Sequence, residues 1–398
     1  MSLLLNIEKR NTVLLRMAEL IAENTATLLQ ANQEDMDAYK GDDIAMGDRL
    51  EVDSGKIVGM IASLNQLAER RDPLNQERFA FTHENGMQIS NRTAPFGTVM
   101  IIYESRPDVT IEAAGIAFKS GNKILLKGGK ESLKSNLALV TLWHQALREN
   151  ECSTEWVTYL QYSREETQTF LANPTQKIDL IVPRGGERLI QFVKQHANCP
   201  VIVSGRGNNF LYVSKNADVE MAAKLIINAK TAKISACNAL DKVLVDANLP
   251  NKKVFLHSLV QQLQNHKVEI IMDNALSGLD GTATLTNEAI WKEEFLDYKI
   301  VIGEVDGINA AIEKINAHSG GHSATIVTTN EEAAETFLAS IDSAAVYHNA
   351  STRFTDGGQF GLAGELAIST DKLHQRGPIG LQHLVTNKWY VKGNGQIR

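Results

Sequence analysis

Residues 98–127 have the sequence TVMIIYESRPDVTIEAAGIAFKSGNKILLK. Apolar runs open and close this stretch, and between them residues 108–120 repeat their apolar side chains with the period of a helix. A strand, a helix and a second strand in this order predict a βαβ unit, whose two strands are parallel.

The same alternation continues along the chain. Apolar runs at 157–160, 178–182 and 200–203 are separated by helix-periodic stretches. A second series of apolar runs follows at 242–245, 268–272, 298–302, 324–329 and 344–348. We therefore predict an α/β fold with two parallel-sheet domains that join near residue 205.

Residues 83–95 follow a different pattern from the series around them. Asn85-Gly86, a dipeptide typical of two-residue hairpin turns, is followed by alternating side chains. We predict a hairpin ribbon over 80–95 that stands outside the first sheet and suits contacts between subunits.

Composition narrows the class of protein. The chain has 398 residues, 43% of them hydrophobic, which is enough for large cores that need neither metal nor disulfides. Its net charge is −7 without a long basic cluster, which argues against nucleic acid as a partner. No apolar run reaches membrane-spanning length, and residues 1–30 predict an amphipathic helix rather than a signal peptide.

Three cysteines lack the close spacing of zinc or redox motifs, so we predict a reducing, cytoplasmic location. Cys237 lies in a loop between a predicted helix and a predicted strand, and Lys230 and Lys233 nearby favour a thiolate. Most cysteines of cytosolic proteins are buried and inert, so these residues alone leave a structural role for Cys237 open. Cys199 precedes a proline and an apolar run, which indicates a structural role. Cys152 has no basic neighbour that would favour a thiolate.

Two turns that follow predicted strands offer sites for anions. Gly185 and Gly186 stand between a strand and a helix, where N–H groups favour a phosphate, although an ordinary tight turn has the same pattern. Lys127 and Lys130 follow another strand at the edge where ligands usually bind, although solvated lysines are also common on surfaces. No Gly-x-Gly-x-x-Gly motif follows a strand, which disfavours a standard dinucleotide loop.

A long loop rich in Ser, Thr and Gly covers residues 349–370. Within it, Arg353 offers a planar fork for a carboxylate, or pairs with a nearby acid. His318 and His322 flank a Gly-Gly turn, and because two histidines four apart suit a metal only on a helix, we predict no metal site.

Several uncommon sequence clusters occur in one order along the chain. They are IYESRPDVTIEAAGIAFKSGNKILLKGGKES (102–132), DLIVPRGGERLI (179–190), NAKTAKISACNAL (228–240), NASTRFTDGGQFG (349–361) and KLHQRGPIGL (372–381). From about Pro95 to Arg398 the sequence resembles the γ-glutamyl phosphate reductase family, a branch of the aldehyde dehydrogenase superfamily. The stretches 205–214 and 361–370 depart from the family pattern.

The resemblance implies an aldehyde dehydrogenase-like α/β fold with two parallel-sheet domains and a small oligomerisation ribbon. The expected parts are a cofactor-binding domain at 1–206, interrupted by the ribbon at 80–95, a catalytic domain at 207–383 and an oligomerisation tail at 384–398. Ser204 takes the position where hydrolytic members have a glutamate that activates water, so a thioester would survive there.

The resemblance also assigns roles to residues. It makes Cys237 the nucleophile and places Ser105 near the oxyanion hole. The residues expected to bind the cofactor are Lys127, Lys130, Gly185, Gly186 and Glu294, and those expected to bind substrate are Arg106 and Arg353. A lysine at 130 favours NADPH over NADH, because its positive charge attracts the 2′-phosphate.

The implied activity is the NADPH-dependent reduction of L-glutamyl 5-phosphate to L-glutamate 5-semialdehyde, in proline biosynthesis. The expected form is a homo-oligomer, a dimer or tetramer, with glutamate 5-kinase as a candidate partner and without a membrane or nucleic-acid partner. Two alternatives stay open. One is another acylating aldehyde dehydrogenase with the same cysteine and cofactor, and the other is an oligomeric scaffold without turnover.

Overall fold

The computed structural model describes residues 5–41, 44–362 and 364–398 of the chain. These residues form two compact units. Unit 1 comprises the described residues among 1–203, 361–367 and 379–398, and unit 2 comprises 204–360 and 368–378. The predicted α/β fold with two parallel sheets is confirmed, because each unit is built on one parallel sheet.

The secondary structure follows the alternation of the sequence. The α-helices are α1 (Ile7–Glu23), α2 (Thr25–Ala38), α3 (Ile44–Leu50), α4 (Ser54–Glu69), α5 (Pro107–Lys119), α6 (Leu133–Glu149), α7 (Arg164–Ala172), α8 (Glu187–His196), α9 (Val219–Thr231), α10 (Lys252–Asn265), α11 (Gly307–His318) and α12 (Glu331–Ser340). The strands are β1 (Glu77–Thr82), β2 (Gln88–Pro95), β3 (Thr98–Tyr103), β4 (Lys123–Lys127), β5 (Val157–Tyr159), β6 (Leu180–Arg184), β7 (Asn209–Val213), β8 (Leu240–Asp246), β9 (Glu269–Met272), β10 (Ala283–Thr284), β11 (Lys299–Val305), β12 (Ser323–Val327), β13 (Ala345–His348), β14 (Ala367–Ser369), β15 (Gly377–Ile379) and β16 (Val385–Lys392). Among the described residues, no helix combines the length and the apolar character needed to cross a bilayer.

The sheet of unit 1 has the strand order β5-β4-β3-β6, and its strands are parallel. Strand β3 alternates its side chains between two apolar clusters. Val99 and Ile101 pack with residues of α1, α4, α5 and α6, whereas Met100 and Ile102 pack on the opposite face with residues of α7 and α8. Helices therefore cover both faces, as a parallel sheet requires.

Asn122 joins three segments of unit 1 and is fully buried. Its Oδ1 accepts a hydrogen bond from Gly97 N at 2.9 Å, just before β3, and its Nδ2 donates to Leu384 O at 2.9 Å, just before β16. A buried amide that satisfies two backbone groups is costly to replace. The end of the chain is thereby fixed to the core of unit 1.

A ribbon sheet with the order β1-β2-β16 is antiparallel and separate from the other sheets. The hairpin predicted over 80–95 is formed by β1 and β2, which start it earlier, at Glu77. The C-terminal strand β16 pairs with β2 from Val385↔Pro95 to Lys392↔Gln88. Large apolar side chains that are more than 40% exposed lie on it, namely Phe79, Phe81, Trp389 and Val391. Pairing of β1 and β16 with the same β2 residues, Asn91 and Ile89, places all four on one face.

The sheet of unit 2 has the order β10-β9-β11-β8-β7-β12-β13 and is parallel throughout. Val243 and Val245 of β8 face one apolar cluster, and Leu244 faces the other. Between β7 and β8, Leu240 pairs with Asn209 and Lys242 pairs with Phe210, so that Asp241 is an extra residue in β8. This β-bulge re-aims the side chains at the start of the strand.

Two strand predictions are wrong. Residues 200–203 form no strand, because the chain passes to unit 2 at Ser204 and only Val201 makes an isolated parallel bridge, to Ile181. Conversely, Asn209–Val213 forms β7 inside the second sheet, between β8 and β12, where no strand was predicted. The other predicted strands are present with slightly shifted ends.

The units also divide the C-terminal region differently from the prediction. The described residues of 361–367, together with 379–383, belong to unit 1 rather than to the second domain. Arg184, at the end of β6, donates to Glu365 O at 3.2 Å and to Leu366 O at 2.6 Å, and Leu366 N donates to Ile379 O at 2.7 Å. These bonds fasten the segments to the first sheet. The roles predicted for the domains stay predictions.

Candidate functional site

The nine residues singled out from the sequence divide between the two units. Unit 1 holds Ser105, Arg106, Lys127, Lys130, Gly185 and Gly186, and unit 2 holds Cys237, Glu294 and Arg353. Each group is gathered at one edge of its sheet.

In unit 1 the group lies at the carboxyl ends of three neighbouring strands. Ser105 and Arg106 follow β3, Lys130 follows β4, and Gly185 follows β6. The carboxyl edge of a parallel sheet is where α/β proteins usually bind ligands. The structure therefore brings all six residues of this group to one edge.

The turn after β4 is shaped by a buried polar network. A Cβ at Gly128 would lie 2.4 Å from Asn136 Nδ2 and 2.9 Å from the Tyr159 hydroxyl, so only glycine fits there. Asn136 Nδ2 donates to Tyr159 Oη at 3.1 Å, and Asn136 Oδ1 accepts from Thr110 Oγ1 at 2.9 Å. The network holds the backbone between Lys127 and Lys130.

The two lysines of this turn differ in environment. Lys127 Nζ donates to Gly128 O at 2.8 Å, and burial lowers the pKa of Lys127. Lys130 is exposed. Of the two, Lys130 is the lysine that can meet a phosphate in solvent.

Ser105 is almost fully buried, with 3% of its surface exposed. Its Oγ donates to Glu131 Oε2 at 3.2 Å. The hydroxyl proton is thus directed at a carboxylate in this arrangement, and the oxyanion role of Ser105 stays a prediction.

A carboxylate lies at the glycine turn where a phosphate is expected. Gly186 N donates to Glu104 Oε2 at 3.0 Å, and a Cβ at Gly185 would lie 2.6 Å from Glu104 Cδ. The Glu104 carboxylate therefore already lies at the N-terminus of α8, where the helix dipole favours a negative charge. A phosphate that took this N–H would have to displace Glu104.

Arg106 takes part in a charged network beside α5. Its Nη2 donates to Asp108 Oδ2 at 2.9 Å. Burial opposes ionisation of Asp108, but the Arg106 guanidinium outweighs it and lowers the pKa of Asp108. Burial raises the pKa of Glu112, which accepts a hydrogen bond from Glu365 N at 3.0 Å.

In unit 2 the group lies at the edge of the sheet where the amino ends of the strands are found. Cys237 precedes β8, Glu294 precedes β11, and the segment 205–208 precedes β7, so all three lie at the amino ends of parallel strands. The 349–355 loop reaches the same edge through Thr355 Oγ1, which is 2.6 Å from Ser323 Oγ at the start of β12. This candidate site is therefore formed by loops packed at the amino edge, and not at the carboxyl edge where α/β proteins usually bind ligands.

Gly207 brings two of the predicted residues together. Its N–H donates to Glu294 Oε1 at 3.0 Å. A Cβ at Gly207 would lie 2.0 Å from Cys237 O, so the two backbones touch. Glycine is therefore required at 207, and through it the Glu294 carboxylate is linked to the cysteine loop.

Two asparagines hold the backbone of the cysteine loop. Asn209 Nδ2 donates to Cys237 O at 2.8 Å and to Ala239 O at 2.6 Å. Asn238 Nδ2 donates to Arg353 O at 3.2 Å and to Thr355 O at 2.9 Å. Cys237 is thus presented by a loop that is fixed on both sides.

Arg353 is the third member of the group and contacts the neighbour of the cysteine. Its guanidinium donates to Asn238 Oδ1. Because a guanidinium has five N–H donors, this bond is compatible with a bound anion. The structure therefore brings Cys237, Glu294 and Arg353 together at one edge of unit 2.

The other two cysteines are poor nucleophiles. Burial raises the pKa of Cys152, and burial together with Asp179 raises the pKa of Cys199. Their thiols are therefore protonated at neutral pH, whereas the reactive form of cysteine is the thiolate.

The two histidines of the Gly-Gly turn lie near this edge. His322 is 1% exposed, and burial lowers its pKa to about 4, so its ring is neutral at physiological pH. Its Nδ1 is 2.8 Å from Ser323 Oγ. Across the described residues, no group of three or more His, Cys, Asp or Glu side chains is arranged to hold a metal ion.

A cavity of about 330 Å³ adjoins the Glu294 segment of unit 2. Its lining residues are Arg206, Asn287, Ala289, Ile290, Lys292 and Glu293. Arg206 and Glu293 are the sequence neighbours of Gly207 and Glu294, so the cavity lies next to this bonded pair.

Sequence reasoning missed Gly207, Asn209 and Asn238. The stretch 205–214 was set aside as a departure from the family, although the apolar run FLYV at 210–213 already indicates a strand. Recognition of that strand would have placed Gly207 and Asn209 at its amino end. The close contact with Cys237 has no signal in the sequence, because it joins residues far apart in the chain.

We expect Gly207→Ala to lower the free energy of unfolding by about 1–3 kcal/mol, the usual cost of overpacking, because the new methyl group overlaps Cys237 O. Urea denaturation followed by circular dichroism measures this. Gly59→Ala is the matched control, since no atom lies within 4 Å of its Cβ position on α4. Equal stability of the two variants would contradict the close contact.

Comparison with known proteins places the chain in a family. Residues 4–277 match the model of the aldehyde dehydrogenase family. The γ-glutamyl phosphate reductase of Francisella philomiragia subsp. philomiragia is 40% identical over 395 residues, which are 99% of this chain and 95% of that protein.

Solved structures agree with this placement. The γ-glutamyl phosphate reductase of Thermotoga maritima has a TM-score of 0.94 and 37% identity, with 99% of this chain and 95% of that chain covered. An engineered glycolyl-CoA reductase with bound NADP+ shares the fold at a TM-score of 0.68 and 17% identity, with 98% of this chain and 92% of that chain covered. The chain is an oxidoreductase of the aldehyde dehydrogenase type, a type that uses nicotinamide cofactors, and it belongs to the γ-glutamyl phosphate reductase family within the aldehyde dehydrogenase superfamily.

Proposed function

We propose that the chain reduces L-glutamyl 5-phosphate to L-glutamate 5-semialdehyde and phosphate with NADPH, as a step of proline biosynthesis. The name of its relatives specifies an acyl phosphate as substrate. The observation that carries the proposal is the site in unit 2, where Gly207 links the Cys237 loop to Glu294.

Cys237 acts as the nucleophile in this proposal. Its thiolate attacks the γ-carbonyl carbon, so that a C–S bond forms and the C–O bond to phosphate breaks. Phosphate leaves with the electron pair, and a thioester remains on Cys237. The thiohemiacetal that follows reduction expels the thiolate and releases the aldehyde.

Residue 204 is a serine, and the resemblance places it where hydrolytic aldehyde dehydrogenases are expected to have a water-activating carboxylate. Without a general base there, the thioester persists until reduction in the forward direction, or until phosphate arrives in reverse. This feature supports an acyl-phosphate reductase over an enzyme that oxidises aldehydes to acids.

The residues present fit a nicotinamide cofactor. The glycine turn at 128–129 and the exposed Lys130 suit the adenosine phosphate end, and Glu294 suits the nicotinamide ribose. Gly185 and Gly186 suit the pyrophosphate once Glu104 gives up its bond to Gly186 N. When bound, NADPH supplies the hydride for reduction of the thioester.

Arg106 and Arg353 are our candidates for binding the phosphate and the α-carboxylate of the substrate. Both are held by short contacts, to Asp108 and to Asn238, which orient their planar groups. In unit 2 the Cys237 backbone N–H is the proposed oxyanion donor. The oxyanion role of Ser105, in unit 1, stays a prediction, and its hydroxyl would first have to turn from Glu131.

We also propose that the chain forms a homo-oligomer through the ribbon sheet. Phe79 and Trp389 have ring centroids 6.3 Å apart on its exposed apolar face. Contiguous aromatic side chains of this kind are typical of subunit interfaces. Glutamate 5-kinase stays a predicted partner, and a cytoplasmic location is supported by cysteines that form no disulfide within the described residues.

Incubation of the purified protein with glutamate 5-semialdehyde, phosphate and NADP⁺ should produce NADPH over many turnovers, whereas omission of phosphate should limit NADPH to no more than one equivalent per enzyme site. Cys237→Ser should lower this turnover on the order of 10³-fold or more, as loss of a nucleophile does. Cys152→Ser and Cys199→Ser are the matched controls and should retain wild-type activity. Turnover without phosphate, or with coenzyme A in its place, would contradict the proposed substrate.

Lys130→Glu should reverse the preference for NADPH. We expect the ratio of kcat/KM for NADPH to that for NADH to fall about 10–100-fold, since one charge-assisted hydrogen bond contributes about 1.5–3 kcal/mol. Lys134→Glu, which places the same charge at an exposed position of α6, is the control for net charge. An unchanged ratio would show that Lys130 does not meet the 2′-phosphate.

Trp389→Asp should weaken the oligomer, with a dissociation constant raised about 30-fold or more, as expected for a charge placed at an interface hot spot. Sedimentation velocity over a range of protein concentrations measures this. Lys388→Asp is the matched control, because neighbouring strand residues point to opposite faces. If both variants assemble like the wild type, the apolar face of the ribbon sheet is not the interface.

A further inference from the structure

Strand β8 holds the backbone on both sides of Glu294. Lys242 Nζ donates to Glu293 O at 2.7 Å. Phe295 N donates to Asp241 Oδ2 at 2.9 Å. The residue proposed to bind the nicotinamide ribose therefore lies between two peptide groups that are anchored to one strand.

The same two side chains are close to Cys237 in the chain. Strand β8 starts at Leu240, three residues after the cysteine. Asp241 is the extra residue of the bulge, and both its side chain and that of Lys242 reach the 293–295 segment because the bulge changes the usual alternation. The bulge thus directs the side chains of Asp241 and Lys242 toward the same 293–295 segment.

The other flank of the cysteine loop joins the same cluster. Lys230, in the last turn of α9, donates to Asp241 Oδ1 at 2.9 Å. The Phe295 ring lies under the cations, with its centroid 3.7 Å from Lys242 Nζ and 5.9 Å from Lys230 Nζ. We name Lys230, Asp241, Lys242 and Phe295 the buried lysine cluster.

Burial of the charged groups in this cluster costs free energy. Lys230 and Lys242 are both 0% exposed, and Asp241 is the carboxylate that pairs with Lys230. Burial lowers the pKa of both lysines, and that of Lys242 to about 7. Buried charges contribute little net stability compared with apolar side chains of the same volume, so a role in geometry accounts better for their presence.

We propose that Asp241, Lys242 and Lys230 are positioning residues that fix Glu294 relative to the Cys237 loop. This inference rests on the proposed function, in which Glu294 holds the nicotinamide ribose and Cys237 carries the acyl group. Gly207 completes the arrangement from the other side, since its N–H binds Glu294 and its backbone touches Cys237. The distance between thiol and cofactor site is then set by a charged cluster behind both.

The test uses full-length Lys242→Met, Asp241→Asn and Glu294→Gln. NADPH affinity is measured by isothermal titration calorimetry, and kcat and KM are measured in the oxidative assay. We expect Lys242→Met and Asp241→Asn each to raise the Kd of NADPH and the KM of NADP⁺ about tenfold, the equivalent of one lost hydrogen bond. KM for phosphate should change less than about twofold, because the cluster does not touch the proposed phosphate ligands.

Lys299→Met is the matched control. Its Nζ lies 5.2 Å from the Phe295 ring centroid, but its ionic partner is the exposed Glu269 at 3.7 Å. We expect this variant to bind NADPH like the wild type. A purely structural role for the cluster would lower the unfolding midpoint and leave the Kd of NADPH unchanged, which would overturn the proposal.

Glu294→Gln tests the ribose-binding role of Glu294 separately from the positioning role of the buried lysine cluster. If it weakens NADPH binding while Lys242→Met and Asp241→Asn do not, the positioning role is wrong and the proposed function stands. If Glu294→Gln also leaves NADPH binding unchanged, the ribose-binding role of Glu294 and the positioning role are wrong together. Should Lys242→Met fail to fold, Asp241→Asn decides alone, because it keeps the side-chain volume and removes the ion pair with Lys230.

Discussion

The contact between Gly207 and the carbonyl of Cys237 is the constraint on which the site of unit 2 depends. At 207 a side chain would overlap the cysteine backbone, so the segment 205–208 lies directly on the cysteine loop. That closeness lets Gly207 N reach Glu294 and lets Asn209 reach the carbonyls of Cys237 and Ala239. Three loops from different parts of the chain are thereby held as one surface.

The two units gather different chemistry at different edges. Unit 1 collects glycines and lysines at the carboxyl ends of β3, β4 and β6, an arrangement suited to anions. Unit 2 collects a thiol, a carboxylate and a guanidinium at the amino ends of its strands, where loops and buried amides do the positioning. The proposed function requires both kinds of group, because it combines a nucleotide cofactor with covalent catalysis.

Much of the fold could be predicted from sequence because it depends on local periodicity. Runs such as KILLK at 123–127 predict buried strands by composition alone, and β4 has those bounds. Residues 200–203 have the same apolar character, but they form no strand because the chain leaves the sheet there, and apolar character does not record where a chain crosses between units.

The site was less predictable than the fold. Cys237 and Arg353 could be singled out from their surroundings in the sequence, whereas Glu294 and the roles of all three came from the resemblance. The structure brings the three residues together. The bonds that do so involve Gly207, Asn209 and Asn238, which are common residues in unremarkable surroundings in the sequence. Their importance lies in contacts between distant segments, and neither composition nor spacing encodes such contacts. The Glu104 carboxylate at Gly186 is of the same kind.

Unit 1 is built from both ends of the chain, and this has a consequence for synthesis. Its ribbon sheet needs β16, and Asn122 needs the Leu384 carbonyl, so the first unit to be translated is the last to be finished. Strand β16 ends at Lys392, so about 190 residues must be made after Val203 before the ribbon sheet can be completed. At ~5–20 residues per second the ribosome takes roughly 10–40 s, during which the open edge of β2 has no partner from its own chain. That edge is open to pairing with other strands during the interval, and a nonsense codon that removes β16 would damage the first unit rather than the second.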